Sequence, residues 1–524
     1  MATRPVLLTQ ALLDAGKIPH GSQVRWLGLV RDVGQPQLMV DPADESAYIE
    51  TTSHRCEVIP GHAAWLHEKH ALVPSVPAST LSIERMAGTS VLGKKKRHDL
   101  DNDVQDDPRP RPAAVKDKTA TTINFAKPTF QVMVRAYQGV QYKVNHLYEF
   151  VGELDLTPQA LDDLEMEWQG EDATASKDNA KLLEFIPTLH VKDASERDYF
   201  GYAMSHCGLG ESFPGDGKNN VRIEWCLQQW KALGYPFSVE EMRQSIVDYL
   251  ATFLQGDVIA ADFILLCLLS RVYQRSQATT PFGHFAVNLM FPNANSAAVA
   301  SACAQLVKAI HGIVPIATTL NLTLESLNSA SFFPRKDYTI DYLHSGLLQL
   351  PEGSAVVVDE SNMITGQLSD RGTRNIQSLM SLVENQTLTY DFQFYHTEFQ
   401  QDVKFITLSK SKSILPTAVH IRHEGKQGNT SSSIASEDLL QCFRLYIAVF
   451  RSLDVELGND GAQTAEQWYV EERKVDKSIR ADDLHRLVRV ARLVALSFGT
   501  SVVTSDAWRH ALELDKTCQQ RGRS

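Results

Sequence analysis

The sequence predicts a multidomain protein of mixed α/β and β structure: a small β domain, then a parallel α/β domain, then helices. Three observations support this. The 524 residues exceed what one hydrophobic core usually organises. Alternating apolar runs dominate the first 155 residues, and apolar runs separated by helical periods follow from residue 236. With 43% hydrophobic and 22% charged residues, the composition is globular and excludes fully disordered and collagen-like chains.

Five short runs near the N-terminus have the pattern of strands. They lie at residues 24–32, 37–41, 54–60, 130–137 and 146–154. Five strands with a long connection between the third and the fourth fit a Greek-key barrel of the oligonucleotide-binding type. On this interpretation residues 1–74 form its first part, and residues 129–200 form the remainder with an acidic connection. Two separate small β modules remain the alternative, because periodicity does not choose between them.

The connection between these runs predicts a disordered linker at residues 75–128. Residues 66–124 contain no Phe, Trp or Tyr, and charged residues and Pro are dense in the second half. Such a segment buries too little apolar surface to offset its ordering entropy. The linker contains one compact basic block, which is either a solvated charge run or a nuclear import signal recognised by an importin. Its residues are Lys94, Lys95, Lys96 and Arg97.

Residues 236–418 predict the α/β domain, and residues 434–524 predict a helical region. Ser238 and Glu241 form a capping-box pattern ahead of an apolar helix. Apolar strands at 285–291, 355–360 and 403–409 alternate with helices, which favours a parallel sheet covered on both faces.

The strand at 355–360 ends in Asp359 and Glu360, the form of a Walker B element that holds Mg²⁺ and orients water in ATPases. A phosphate-binding loop would have to follow an earlier strand with the pattern GxxxxGK[ST]. Between the strand at 285–291 and Lys308 there is neither a glycine nor a lysine. We therefore expect no nucleotide hydrolysis, and no residue is predicted to be catalytic or to bind a cofactor.

Other chemistry is not indicated by the spacing of the remaining motifs. The His residues of HEKH, at 67 and 70, are three apart instead of the four that a helical zinc motif needs, so no metal site is predicted. The seven cysteines form no close pair, which indicates reduced thiols. The longest apolar stretch, residues 259–269, contains Asp262 and is shorter than a membrane span, so no membrane partner is expected.

The net charge of −12 disfavours a chain that binds nucleic acid over its whole surface, because phosphate binding requires many Lys and Arg residues. A single-stranded-DNA-binding barrel stays open as an alternative if aromatic side chains are exposed over a basic groove. The candidate aromatic residues are Trp26, Phe130, Tyr137, Tyr148 and Phe150.

Seven colinear blocks resemble one family. The central block at residues 335–361 reads RKDYTIDYLHSGLLQLPEGSAVVVDES. Others lie at residues 254–275, 283–289, 366–379, 390–392, 405–416 and 481–499, and VRWLGLVRDV and YKVNHLYEFVGEL resemble N-terminal blocks. Together they resemble the mini-chromosome maintenance (MCM) complex-binding protein family, over nearly the whole chain except the linker and residues 156–234.

This family is a divergent relative of the MCM replicative helicase subunits, which join an oligonucleotide-binding barrel to an AAA+ module. The resemblance implies a degenerate AAA+-like domain without a phosphate loop and a C-terminal helical lid. In it Asp359 and Glu360 stand at the Walker B position, and Ser409 replaces the usual sensor asparagine.

The resemblance further implies a non-enzymatic nuclear protein that binds MCM subunits, notably the third, and reaches chromatin indirectly. It implies a role in assembling the helicase or releasing it from chromatin, and in sister chromatid cohesion. An active AAA+ ATPase remains the second alternative.

Overall fold

The structure is a computed structural model that describes residues 5–41, 44–63, 65–68, 130–157, 186–198, 213–214, 217–276, 281–339, 342–425 and 435–523. The predicted linker at 75–128 lies outside the described residues. The described part is mixed α/β, with several sheets and a helical C-terminal region.

The first sheet contains seven strands in the order β1-β2-β6-β7-β5-β4-β3. The strand β2 pairs with both β6 and β4, so β2, β4, β5, β7 and β6 close into a ring. The strands are β1 (Val6–Leu7), β2 (Gln23–Val33), β3 (Gln37–Asp41), β4 (Asp44–Glu57), β5 (Gln131–Tyr137), β6 (Leu147–Asp155) and β7 (Thr188–Arg197). Two short helices accompany them, α1 (Gln10–Asp14) and α2 (Trp65–Glu68).

The strand predicted at 54–60 is wrong in its bounds, because β4 covers Asp44–Glu57 and residues 58–60 follow it as coil. The predicted strand at 37–41 is the hairpin partner of β4 and not a member of the ring. The ring takes its fifth strand from β7, which the sequence did not indicate. The sequence of β7 is mostly polar and lacks the apolar alternation that predicts a half-buried strand. In the structure only its first two residues, Thr188 and Leu189, are buried.

The two halves of the β domain are joined by direct strand pairing. Residues of β2 pair with β6, with Trp26 opposite Phe150, and residues of β4 pair with β5, with Cys56 opposite Val132. The strands before and after the linker thus form one sheet. Their inward residues fill a common core in which the rings of Trp26 and Phe150 stack at 6.3 Å.

The second sheet consists of five parallel strands in the order β11-β14-β17-β10-β18. They are β10 (Val287–Met290), β11 (Ala317–Asn321), β14 (Ala355–Asp359), β17 (Lys404–Ser409) and β18 (Val419–Arg422). The associated helices are α3 (Asn219–Ala232), α4 (Val239–Phe253), α5 (Val258–Leu269), α6 (Ser296–Ile313), α7 (Leu324–Ser329) and α8 (Asp370–Asn385). The capping box of Ser238 and Glu241 is confirmed at the start of α4.

The remaining strands form a four-stranded sheet in the order β13-β12-β15-β16 and a two-stranded ribbon. The sheet strands are β12 (Arg335–Asp337), β13 (Tyr342–His344), β15 (Thr387–Asp391) and β16 (His396–Gln400), and the ribbon strands are β8 (Gln274–Arg275) and β9 (Pro281–Phe282). We call the four-stranded sheet the hairpin sheet, because β15 and β16 form an antiparallel hairpin with its turn at residues 392–395.

Four helices form the C-terminal region, α9 (Glu437–Arg451), α10 (Gly458–Val475), α11 (Ala481–Ser497) and α12 (Ser505–Arg523). They share the largest hydrophobic core with α4, α5 and the parallel sheet. Among the described residues, α6 is long and apolar enough to cross a membrane, and the bent pair α4–α5 passes the same test as one span. Because α6 buries Val299, Cys303 and Leu306 against the sheet, it packs as a core helix.

The β domain is seated directly on the α/β domain. Gly61 has a φ of +71°, and a Cβ there would lie 2.1 Å from the Ala317 carbonyl oxygen, so only glycine fits. The Gly61 carbonyl accepts the Ala317 N–H at 2.8 Å, and a bridge joins His62 to Ile316. On the opposite side the Arg55 guanidinium donates to the Leu343 carbonyl and covers the Tyr342 ring.

Candidate functional site

The carboxyl end of β14 brings two acidic residues into the interior of the α/β domain. Asp359 and Glu360 are only 4% and 7% exposed. The Asp359 carboxylate accepts the Ser361 N–H at 2.8 Å, which turns the chain sharply after the strand. The Glu360 N–H donates to the Leu408 carbonyl at 2.9 Å and continues the pairing with β17. Both carboxylates are therefore held by the chain that surrounds them.

Glu360 is tied to the loop that follows β17. The Ser413 hydroxyl donates to Glu360 Oε1 at 2.7 Å, and the Ile414 N–H donates to Oε2 at 3.4 Å. Burial raises the pKa of Glu360 above its usual value, because the site withdraws the carboxylate from water. In an ATPase this residue would face a water molecule, whereas here both oxygens contact protein donors.

Direct hydrogen bonds link the start of α6 to the residues that follow β14 and β17. Asn295 caps the first turn of α6 by accepting the Ala298 N–H at 2.8 Å. The Ser296 hydroxyl donates to the Ser361 carbonyl at 3.0 Å, and the Ser361 hydroxyl donates to the Ser296 carbonyl at 3.4 Å. The Lys410 ammonium donates to Ser296 Oγ at 2.7 Å. We call residues 288–296, 359–361 and 409–414 the closed edge.

A further polar chain crosses the closed edge between three strands. The Ser409 hydroxyl donates to the Asn288 side-chain oxygen at 2.8 Å, and the Asn288 amide lies 3.3 Å from His420 Nδ1. Burial, together with the nearby charges of Lys412 and Arg486, lowers the pKa of His420 to about 4. A neutral imidazole is therefore the form that fits this chain.

The sequence placed Asp359, Glu360 and Ser409 at this edge, but it did not identify Asn288, Ser361, Lys410 or Ser413. These residues lie after different strands, and only the parallel sheet brings them together. Among the described residues no group of three or more His, Cys, Asp and Glu side chains has the geometry to hold a metal ion.

Comparison with known proteins agrees with the resemblance drawn from the sequence blocks. Residues 94–522 match the sequence model of the family described as mini-chromosome maintenance replisome factor. The chain belongs to this family.

Three relatives named mini-chromosome maintenance complex-binding protein illustrate the similarity. The Arabidopsis thaliana protein is 30% identical over 72% of this chain and 60% of its own length. The Bos taurus protein is 26% identical over 95% of this chain and 84% of its own length. The Homo sapiens protein is 25% identical, with the same two shares.

The barrel aromatics of this family member do not offer a stacking platform for bases. Trp26, Tyr148 and Phe150 are buried in the barrel core, with exposures of 2%, 6% and 0%. Arg25 and Arg31 are buried too, and they pair with Glu149 at 3.4 Å and Glu57 at 2.8 Å. Phe130 packs against this core, and the hydroxyl of Tyr137 bonds to His190. These side chains hold the barrel together.

The other site residues predicted from the sequence, Lys94, Lys95, Lys96 and Arg97, lie outside the described residues. All six cysteines in the described part are free and buried. Burial raises the pKa of their thiols, which disfavours the reactive thiolate.

Proposed function

We propose that this protein is a non-enzymatic binding partner of MCM helicase subunits. Its family membership and the printed names of its relatives support binding to the MCM complex. The observation that carries the non-enzymatic part is the closure of the phosphate position by Ser296, Ser361 and Lys410. A nucleotide would have to break these hydrogen bonds, and no glycine-rich loop stands there to replace them.

We further propose that the α/β domain is a degenerate AAA+-like module. The order of its parallel strands supports this, because β10, the first in the chain, lies between β17 and β18. Asp359 ends the strand next to β17, where sheets of this class place their ligand-binding acidic residues. The C-terminal helices would then correspond to the lid of such a module.

The β domain is proposed to be a barrel of the oligonucleotide-binding type. Its support is the closed ring of five strands, in which β5 and β7 pair in parallel while the other neighbours are antiparallel. A barrel joined to an AAA+-like body gives the protein the outline of an MCM subunit.

The mechanism follows from that outline. A subunit-shaped body without a phosphate loop can dock beside a true MCM subunit, notably the third, in the place of the second. Docking would shield an apolar subunit interface until the hexamer closes. On this proposal the protein assists assembly of the helicase or its release from chromatin, and thereby supports sister chromatid cohesion.

We propose that the protein acts in the nucleus, contacts chromatin only through its partners, and is imported through Lys94, Lys95, Lys96 and Arg97. The proximity of four basic residues in a segment predicted to be exposed supports recognition by an importin. Replacing all four by Ala should move a fluorescent fusion from the nucleus to the cytoplasm, and unchanged nuclear signal would contradict the import role.

The central test is co-purification of the full chain with recombinant MCM subunits, with and without ATP. We expect stoichiometric binding that ATP does not change, together with the absence of measurable ATP hydrolysis. The double variant Asp359→Asn/Glu360→Gln should bind equally well, because neither carboxylate reaches the surface. Absence of binding to every MCM subunit would refute the proposal, and hydrolysis lost in the double variant would establish the active ATPase instead.

A further inference from the structure

The hairpin sheet carries the strongest basic feature in the described part that the proposed function does not use. A cavity of about 390 Å³ opens beside β12 and the first turns of α8, within the size range of ligand sites. Four cationic side chains line it, against one carboxylate, Asp337. The four are Arg335, Lys336, Arg371 and Arg374.

The guanidinium groups at this cavity are oriented by neighbouring residues, and each keeps N–H donors that can bind a ligand. The side chains of Arg335 and Arg374 are 55% and 57% exposed, and both approach the buried Asp391 carboxylate, at 3.9 Å and 3.5 Å. Arg371 donates one N–H to the Ser329 carbonyl at 3.1 Å. Each guanidinium has five N–H donors in a planar fork, so donors remain that can reach an anionic ligand.

Exposed aromatic rings come next in the chain to two residues that line this cavity, Asp337 and Gln393. Phe394, at the tip of the β15–β16 hairpin, is 83% exposed, and Tyr395 and Tyr338 are 55% and 44% exposed. The Phe394 ring lies 5.4 Å from the Tyr338 ring. The tip is anchored to the cavity wall, because the Gln393 amide donates to the Lys336 carbonyl at 3.1 Å. The two rings together give an exposed aromatic surface beside the cationic side chains.

We propose that the cavity and the hairpin tip form a binding site for single-stranded nucleic acid. Phosphate groups would lie against Arg335, Arg371 and Arg374, and unpaired bases would stack on Phe394 and Tyr395. Guanidinium forks match phosphate oxygens, and every base offers a face to an aromatic ring. A duplex is disfavoured, because its bases are already stacked on one another.

The overall charge of −12 shapes the expected behaviour. A protein that repels polyanions over most of its surface holds a strand only at this local site, so the affinity should fall steeply with salt. All the residues that line this cavity belong to the α/β domain, and its test needs no MCM subunit.

The test is fluorescence anisotropy of the full chain with a labelled oligothymidylate of 20 nucleotides over a range of salt concentrations. Phe394→Ala should weaken binding about tenfold, from the roughly 1–3 kcal/mol of one stacked base. Arg335→Gln/Arg374→Gln should weaken binding and reduce the slope of log K against log salt by about 1.4, because each lost phosphate contact removes about 0.7.

Matched controls are Leu38→Ala, a 74% exposed residue of β3, and Arg509→Gln, whose side chain is 69% exposed on α12. Both should bind like the unmodified chain. The proposal is overturned if these controls lose as much affinity as the site variants, or if replacing residues 94–97 by Ala abolishes all binding. It is also overturned if polyglutamate displaces the oligonucleotide as well as unlabelled oligothymidylate does, which would assign the site to an acidic protein.

Discussion

The closed edge and the hairpin sheet both belong to the α/β domain, but the polar residues of the first are buried and those of the second are exposed. At the closed edge Asp359, Glu360 and Ser361 are buried and contact donors and acceptors of their own chain. In the hairpin sheet Arg335 and Phe394 face solvent. The polar residues that end β14 are thus part of the core, while the hairpin sheet presents charged and aromatic side chains to solvent. This contrast supports the proposed binding role.

The largest effect should come from Asp402, which lies between the hairpin sheet and β17. Its buried carboxylate contacts Arg451 at 2.5 Å and Lys404 at 3.9 Å. Burial alone would raise the pKa of Asp402, but these two cations hold it below its usual value. Asp402→Ala should lower the free energy of unfolding by about 3–5 kcal/mol, because two buried cations lose their carboxylate. Urea denaturation measures this.

The control for that substitution is Glu398→Ala, a change of an exposed carboxylate on β16. It should alter the free energy of unfolding by no more than about 0.5 kcal/mol. Equal effects of the two substitutions would contradict a stabilising role of the buried ion pairs of Asp402 with Arg451 and Lys404.

The second effect is a loss of stability in acid that depends on His420, a residue of β18 that lies beside Asn288 of the closed edge. Its pKa in the folded protein is about 4, below the usual 6.5, so the unfolded chain takes up the proton first as the pH falls. The stabilising contribution is complete above pH 6.5 and is lost progressively between pH 6.5 and 4. The pKa shift corresponds to at most about 3 kcal/mol at 1.36 kcal/mol per pKa unit, and solvent screening of the partly exposed imidazole reduces this to about 2 kcal/mol or less.

His420→Gln should flatten the dependence of unfolding free energy on pH in that window. His396→Gln serves as the matched control, because the His396 side chain on the hairpin sheet is 62% exposed. If both variants follow the acid profile of the unmodified chain, the closed edge does not exclude the protonated imidazole.

A third, smaller effect tests the internal hydrogen bonds that hold Glu360. Ser413→Ala removes the hydroxyl that lies 2.7 Å from the Glu360 carboxylate and leaves a buried acceptor with one donor fewer. We expect a loss of about 1–3 kcal/mol in unfolding free energy. Adding Glu360→Gln should cost less than the sum of the two single changes, since both alter the same hydrogen bond. Strict additivity would show that the contact contributes nothing.

The smallest effect on stability is expected at the hairpin tip. Phe394→Ala should change the thermal midpoint little, within about 0.5 kcal/mol of free energy, because the ring is 83% exposed and buries little area. A large loss of unfolding free energy would mean that the Phe394 ring supports the fold, as the polar residues of the closed edge do.

Much of the fold was accessible from periodicity and capping. Ser238 and Glu241 predicted the start of α4, and the apolar run at 355–360 predicted β14, because both signals are local. The strand β7 was missed, since its sequence is mostly polar and its place in the ring depends on pairing with β5 and β6. The bounds of β4 were wrong for a related reason, because its first part is held by pairing with β3 and not by a local sequence signal.

The candidate sites divide in the same way. The sequence alone determined that no phosphate loop follows β10 and that two acidic residues end β14. Both features are read directly from consecutive residues, so they do not depend on how the chain folds. Only the tertiary structure decided that Ser361 and Lys410 hydrogen-bond to Ser296, and that Arg335 and Arg374 line one cavity beside the hairpin that carries Phe394. The physical reason is distance along the chain. Hydrogen bonds and charges act over a few ångströms, and it is the packing of the sheets that brings residues dozens of positions apart within that range.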